Sequence, residues 1–84
     1  MIFAVARRVL GDNDETTLRM MWIYGEALYL DDSATLDDLR EAVTTLEDAG
    51  RIARRVLGGA HPLAVAIERD LQKARAALRT REAT

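Results

Sequence analysis

Apolar residues recur along this chain at spacings of three and four, the period that buries one face of an α-helix. Between Asp14 and Leu30 the set is Leu18, Met21, Trp22, Gly25, Leu28 and Tyr29. From Leu36 to Leu57 a longer stripe follows the same rule, through Leu39, Ala42, Val43, Leu46, Ala49, Ile52, Ala53, Val56 and Leu57. From Pro62 to about Arg79 a third stripe runs through Leu63, Ile67, Leu71, Ala74 and Leu78, opposite a polar face that carries Glu68, Arg69, Gln72 and Lys73. Residues 2–10 add a short apolar piece with Ile2, Phe3, Val5, Val9 and Leu10. The pattern predicts an all-α fold in one domain, residues 1–84.

Helix stop and start signals agree with these limits. Gly11 and Gly58-Gly59 fall where helices should end, since glycine takes the left-handed conformation at little cost. Asp12-Asn13-Asp14-Glu15 supplies N-cap candidates and first-turn acids, and Pro62 suits a first helical position. Asp31-Asp32-Ser33-Ala34-Thr35 reads as a turn.

The same segments repeat. Ala6-Arg7-Arg8-Val9-Leu10-Gly11 returns letter for letter as Ala53-Arg54-Arg55-Val56-Leu57-Gly58, and Ala53 follows Ala6 by 47 residues. Self-similarity at a fixed period of this size is the mark of a helical repeat array. The chain then reads as a partial second helix (2–10), a full hairpin (14–57) and a first-helix-like C-terminal cap (62–79).

Helix, turn and helix with Tyr24-Gly25, Leu28, Ala42, Leu46 and Ala49 resembles the tetratricopeptide repeat. Arg-Arg-Val-Leu-Gly at residues 54–58, His61-Pro62 and Thr17-Leu18-Arg19 resemble its kinesin light chain type. The resemblance covers nearly the whole chain. It implies antiparallel helical hairpins stacked as a short solenoid, with Gly25, Leu28, Ala42, Leu46 and Ala49 as packing positions between helices. It implies a scaffold that holds a protein or peptide. Two departures stand out. The unit here is longer than the family's, with the extra residues around Leu30 to Asp37. Trp22 and Ile23 occupy the positions where members often carry an asparagine pair that holds a peptide backbone.

Composition narrows the chemistry. With no cysteine and one histidine, neither a disulfide nor a thiolate or multi-histidine metal site can be built in one chain. No apolar run approaches the ~20 residues a membrane helix needs, and Met1 to Ala6 meets Arg7-Arg8 too early for a signal peptide. The expectation is an intracellular, cytoplasmic protein that does not bind membranes.

Four groups of residues are candidate sites. His61 as a general base has no partner nucleophile in sight, so capping or packing is the plainer role. Asp31, Asp32, Asp37 and Asp38 lack the alternation and central glycine of a calcium loop. The arginines at 51, 54 and 55 lack interleaved aromatics for nucleic acid and suit a helix C-terminus. No catalytic, cofactor or metal residue is assigned, and the chain is expected not to be an enzyme. Met20, Met21, Trp22, Ile23 and Tyr24 are apolar in a row, wider than one buried face. They could be core between helices; with Phe3 they form the expected interface.

Charge sharpens that expectation. The net charge of −2 divides into −9 over residues 12–48, +5 over residues 51–84 and +2 over residues 1–11. An acidic and a basic half can meet head to tail between copies, or both can be solvated faces. A lone hairpin cannot bury its apolar face, since about three repeats are normally needed. A homodimer with Trp22 or its neighbours at the interface is therefore expected. The runner-up is a cap or spacer in a longer scaffold.

Overall fold

The computed structural model describes residues 8, 9, 11 and 14–83. Among them lie three packed helices, α1 (Glu15–Leu30), α2 (Leu36–Val56) and α3 (Pro62–Ala83), and no strand. The protein is all-α, an arrangement of helical hairpins. The expected helix over 2–10 lies outside the described residues except for Arg8 and Val9, which are helical.

Each helix starts where local chemistry satisfies its free N–H groups. Asp14 caps α1 by accepting the Thr16 N–H at 2.7 Å. Thr35 caps α2 through a capping box: its hydroxyl accepts the Asp38 N–H, and the Asp38 carboxylate accepts the Thr35 N–H. His61 Nδ1 accepts the Leu63 N–H at 3.1 Å at the head of α3. The Asp31 carboxylate accepts from both the backbone and the hydroxyl of Ser33, which shapes the α1–α2 turn and lowers the Asp31 pKa. Leu57 is the C-cap of α2, and Gly58 follows with φ of 94°.

The core lies along α2, which packs chiefly against both neighbours, while α1 and α3 meet each other less. Leu18 and Met21 of α1, Ala42, Leu46 and Ala49 of α2, and Ile67, Leu71 and Ala74 of α3 are buried together. α1 and α2 approach closely at Gly25. A Cβ placed there would stand 2.7 Å from Leu46 Cγ. One turn further along α2, a Cβ on Gly50 would be in ordinary contact with Ile67 Cγ2 at 3.5 Å.

Of the third predicted stripe, Leu63, Ile67, Leu71 and Ala74 are buried and Leu78 is half-buried. Val56 is exposed at 41% although it lies in the α2 stripe. One core polar group stands out: Thr17 is fully buried, and its Oγ1 has no hydrogen-bond partner.

The acidic and basic halves meet within one chain. Antiparallel α2 and α3 bring Arg40 to Glu82 (3.9 Å), Glu47 to Arg75 (2.9 Å) and Arg54 to Glu68 (3.7 Å). These pairs are largely solvated, so each adds little stability.

Candidate interaction site

Two faces of α1 carry the residues singled out by sequence. The first turns toward α3. Trp22, Glu26 and Tyr29 lie at i, i+4 and i+7, one face of the helix, and all three converge on Asp70. Trp22 Nε1 donates to Asp70 Oδ2 at 2.5 Å, and the Tyr29 hydroxyl donates to Oδ1 at 2.8 Å. Asp70 is only 6% exposed, so these donors replace the water its carboxylate gave up. Glu26 completes the cluster. Its interaction with the Asp70 carboxylate, followed by burial and the charge of Asp70, raises its pKa, while Lys73 opposes the shift. A neighbouring carboxylate disfavours the ionised form of Glu26. Burial, then the bond to Asp70, pushes the Tyr29 hydroxyl far above its usual range.

This cluster is a polar fastening between α1 and α3. Both Asp70 oxygens accept hydrogen bonds from side chains of α1.

The second face turns outward. Met20 and Tyr24 are half-buried, Ala27 is exposed, and Ile23 and Leu30 are 60% and 64% exposed. Met20, Ile23, Ala27 and Leu30 follow one another at three and four residues, so they form a continuous apolar ridge. A shallow recess lies among Met20, Ile23, Tyr24 and Ala27. The Tyr24 hydroxyl is tied to Glu41 of α2, and that bond, ahead of burial, raises its pKa.

The structure therefore divides the expected interface. Met21 is core, 1% exposed, and Trp22 is turned to α3, where its indole is engaged with Asp70. Met20, Ile23 and Tyr24 lie on the outer face, and Ile23 is the most exposed of them. Phe3 lies outside the described residues. Gly25, Ala42, Leu46 and Ala49 are buried between helices, and Leu28 packs against the core half-buried.

Sequence reasoning missed Asp70. Its signal was present: it sits between Ile67, Leu71 and Ala74, on the shoulder of an apolar stripe, where a solitary acid calls for donors.

Among the described residues, no group of three or more His, Cys, Asp or Glu side chains is placed to hold a metal ion. No helix there is long and apolar enough to cross a membrane. No known protein family, curated protein or solved structure matches this chain.

Proposed function

We propose that this chain is a non-catalytic interaction module of tetratricopeptide type, close to the kinesin light chain variety, and that it forms a homodimer through the outer face of α1. The observation that carries this reading is the exposed pair Ile23 and Leu30 on an apolar ridge. Large apolar side chains gathered on one face mark a binding surface more often than scattered ones do. The chain's 47-residue internal repeat and the close Gly25–Leu46 approach support the repeat-type reading. A protein or peptide with its own apolar helix would suit the same ridge. The lack of cysteine suits a reducing, cytoplasmic setting.

The second reading, a cap or spacer in a longer scaffold, draws on α3, whose exposed positions include the polar Arg69, Gln72, Lys73 and Arg79. Terminal repeats need such a face.

Sedimentation velocity across micromolar concentrations tests the proposal against a matched control. Ile23→Asp should shift the protein toward monomer, whereas Val65→Asp on α3, where Val65 is 40% exposed, should not. Equal responses to the two variants would remove the special role of the ridge.

A further inference from the structure

The apolar ridge of α1 has a pattern that suits a second copy of itself. Met20, Ile23, Ala27 and Leu30 follow at three, four and three residues, the spacing by which two helices interlock along a seam. Met20, Ile23, Tyr24 and Ala27, around the recess, stand at i, i+3, i+4 and i+7, the four corners that receive a side chain in such packing. The seam lies opposite the core. Leu18, Met21 and Gly25 are buried, whereas Ile23, Ala27 and Leu30 are exposed.

Charge bears on which way the two helices run. In a parallel pair each Glu26 would face Asp31 of the other copy, and the two helix dipoles would lie side by side in the same sense. An antiparallel pair sets the dipoles against each other. It also lets the four apolar residues overlap fully, with Met20 level with Leu30 of the second copy and Ile23 level with Ala27 of the second copy. In that register Arg19 comes level with Asp31 of the second copy at both ends, so opposite charges flank the seam. At its centre the two Glu26 side chains come together.

Glu26 borders the seam on the side of α3. It is three residues from Ile23 and four from Leu30, the spacings of neighbours on a helix surface, and it is half-buried. Among the described residues the charges that act on it come from α3: Asp70 favours its protonated form and Lys73 its ionised one. On α1 the Tyr29 hydroxyl shares the cluster, while Arg19, two turns back, is engaged with Glu15. A helix laid over Ile23 and Leu30 covers Glu26 as well. Covering takes water from the carboxylate and brings the other copy's carboxylate close, and both effects disfavour the charged form.

We propose that α1 pairs antiparallel with α1 of a second copy, and that Glu26, beside the two-fold axis, makes the pairing stronger as pH falls. The inference rests on the dimer proposed above and adds its register and its control. Glu26 already holds its proton above the ordinary glutamate range in the single chain. The dimer holds it more tightly still, so the dimer gains strength as pH falls and loses it as pH rises through the value at which the paired carboxyls ionise. A proton held about tenfold more tightly in each copy makes the dimer about 100-fold tighter once both are bound.

Sedimentation equilibrium of the full chain at about pH 5 and about pH 7.5, with folding checked by circular dichroism, reads the coupling. The dissociation constant of the parent should be lower by about tenfold or more at the acidic pH. Glu26→Gln should dimerise tightly at both and lose most of this dependence; Glu26→Ala takes its place if the glutamine variant does not fold. Because the chain has no cysteine, thiols read the register. Ile23→Cys with Ala27→Cys should give a disulfide between two chains, seen as a doubled mass on a non-reducing gel, whereas Leu30→Cys alone should stay reduced. A dimer whose strength ignores pH, or follows it equally in Glu26→Gln, overturns the inference and leaves the dimer standing. A disulfide between two Leu30→Cys chains does the same, because it marks a parallel pair. A protein that stays monomeric at both pH values defeats the proposed dimer itself.

Discussion

Gly25→Ala sets two known effects against each other at one atom. In the interior of an exposed helix, alanine is favoured over glycine by about 1 kcal/mol. Here the added Cβ would stand 2.7 Å from Leu46 Cγ and 2.9 Å from Cδ2, well inside the ~3.5–4.0 Å that carbon atoms prefer. Leu46 Cγ is a branch point, and the side chain is fully buried, so it cannot swing aside freely. Overpacking of this kind costs about 1–3 kcal/mol, and this contact belongs toward the upper end. The net expectation is a loss of about 1–2 kcal/mol. For a domain of this size each kcal/mol moves the melting temperature by ~4–8 °C, so a fall of several degrees should be seen. The decisive control is Leu46→Ala, which by itself should destabilise by ~2–5 kcal/mol. In that background the obstruction is gone, and Gly25→Ala should stabilise by about 1 kcal/mol. Urea denaturation of the four proteins completes the cycle. If Gly25→Ala has the same sign in both backgrounds, the close approach of α1 and α2 at this point is refuted.

Glu26→Gln should raise stability at neutral pH and flatten its pH dependence. A folded pKa raised above the ordinary glutamate value means the folded state holds more protons between the two values, so this group's contribution is lost as pH rises through the folded pKa; parallel melting profiles of parent and variant would contradict this. Thr17→Val removes a buried hydroxyl that makes no hydrogen bond and should stabilise by about 1 kcal/mol in denaturant titration; a loss instead would mean that the hydroxyl is partnered. Thr35→Ala breaks the α2 capping box and should cost about 1 kcal/mol by thermal melting. Trp22→Phe leaves Asp70 with one donor fewer and should destabilise by ~1–3 kcal/mol, whereas a neutral result would mean that the α1–α3 fastening does not depend on the indole.

Local chemistry was readable in the letters. Gly11, Asp14, Thr35, Gly58 and Pro62 mark turns and helix starts through interactions spanning a few residues, and the helices begin and end close to them. Gly25, Ala42 and Ala49, packing positions in the repeat resemblance, are buried between helices. What could not be read depends on tertiary pairing. Trp22 meets Asp70 across 48 positions, a contact that exists only once α1 and α3 flank α2. A row of five apolar residues gives no direction to any one of them; the fold sends Met21 to the core, Trp22 to α3 and Ile23 outward. The charge division of the chain is equally silent about where its halves meet. Antiparallel packing of α2 and α3 brings Glu47 to Arg75 and Arg54 to Glu68 within one molecule, which leaves the apolar ridge, rather than charge, as the feature that argues for a partner.

That ridge is tested most directly by the mass of the protein in solution. Light scattering at micromolar concentration should give twice the 9.4 kDa of a single chain, and Ile23→Asp with Leu30→Asp should return it to one chain with its helical signal intact. A parent protein that stays at the mass of one chain across this concentration range would contradict the proposed dimer.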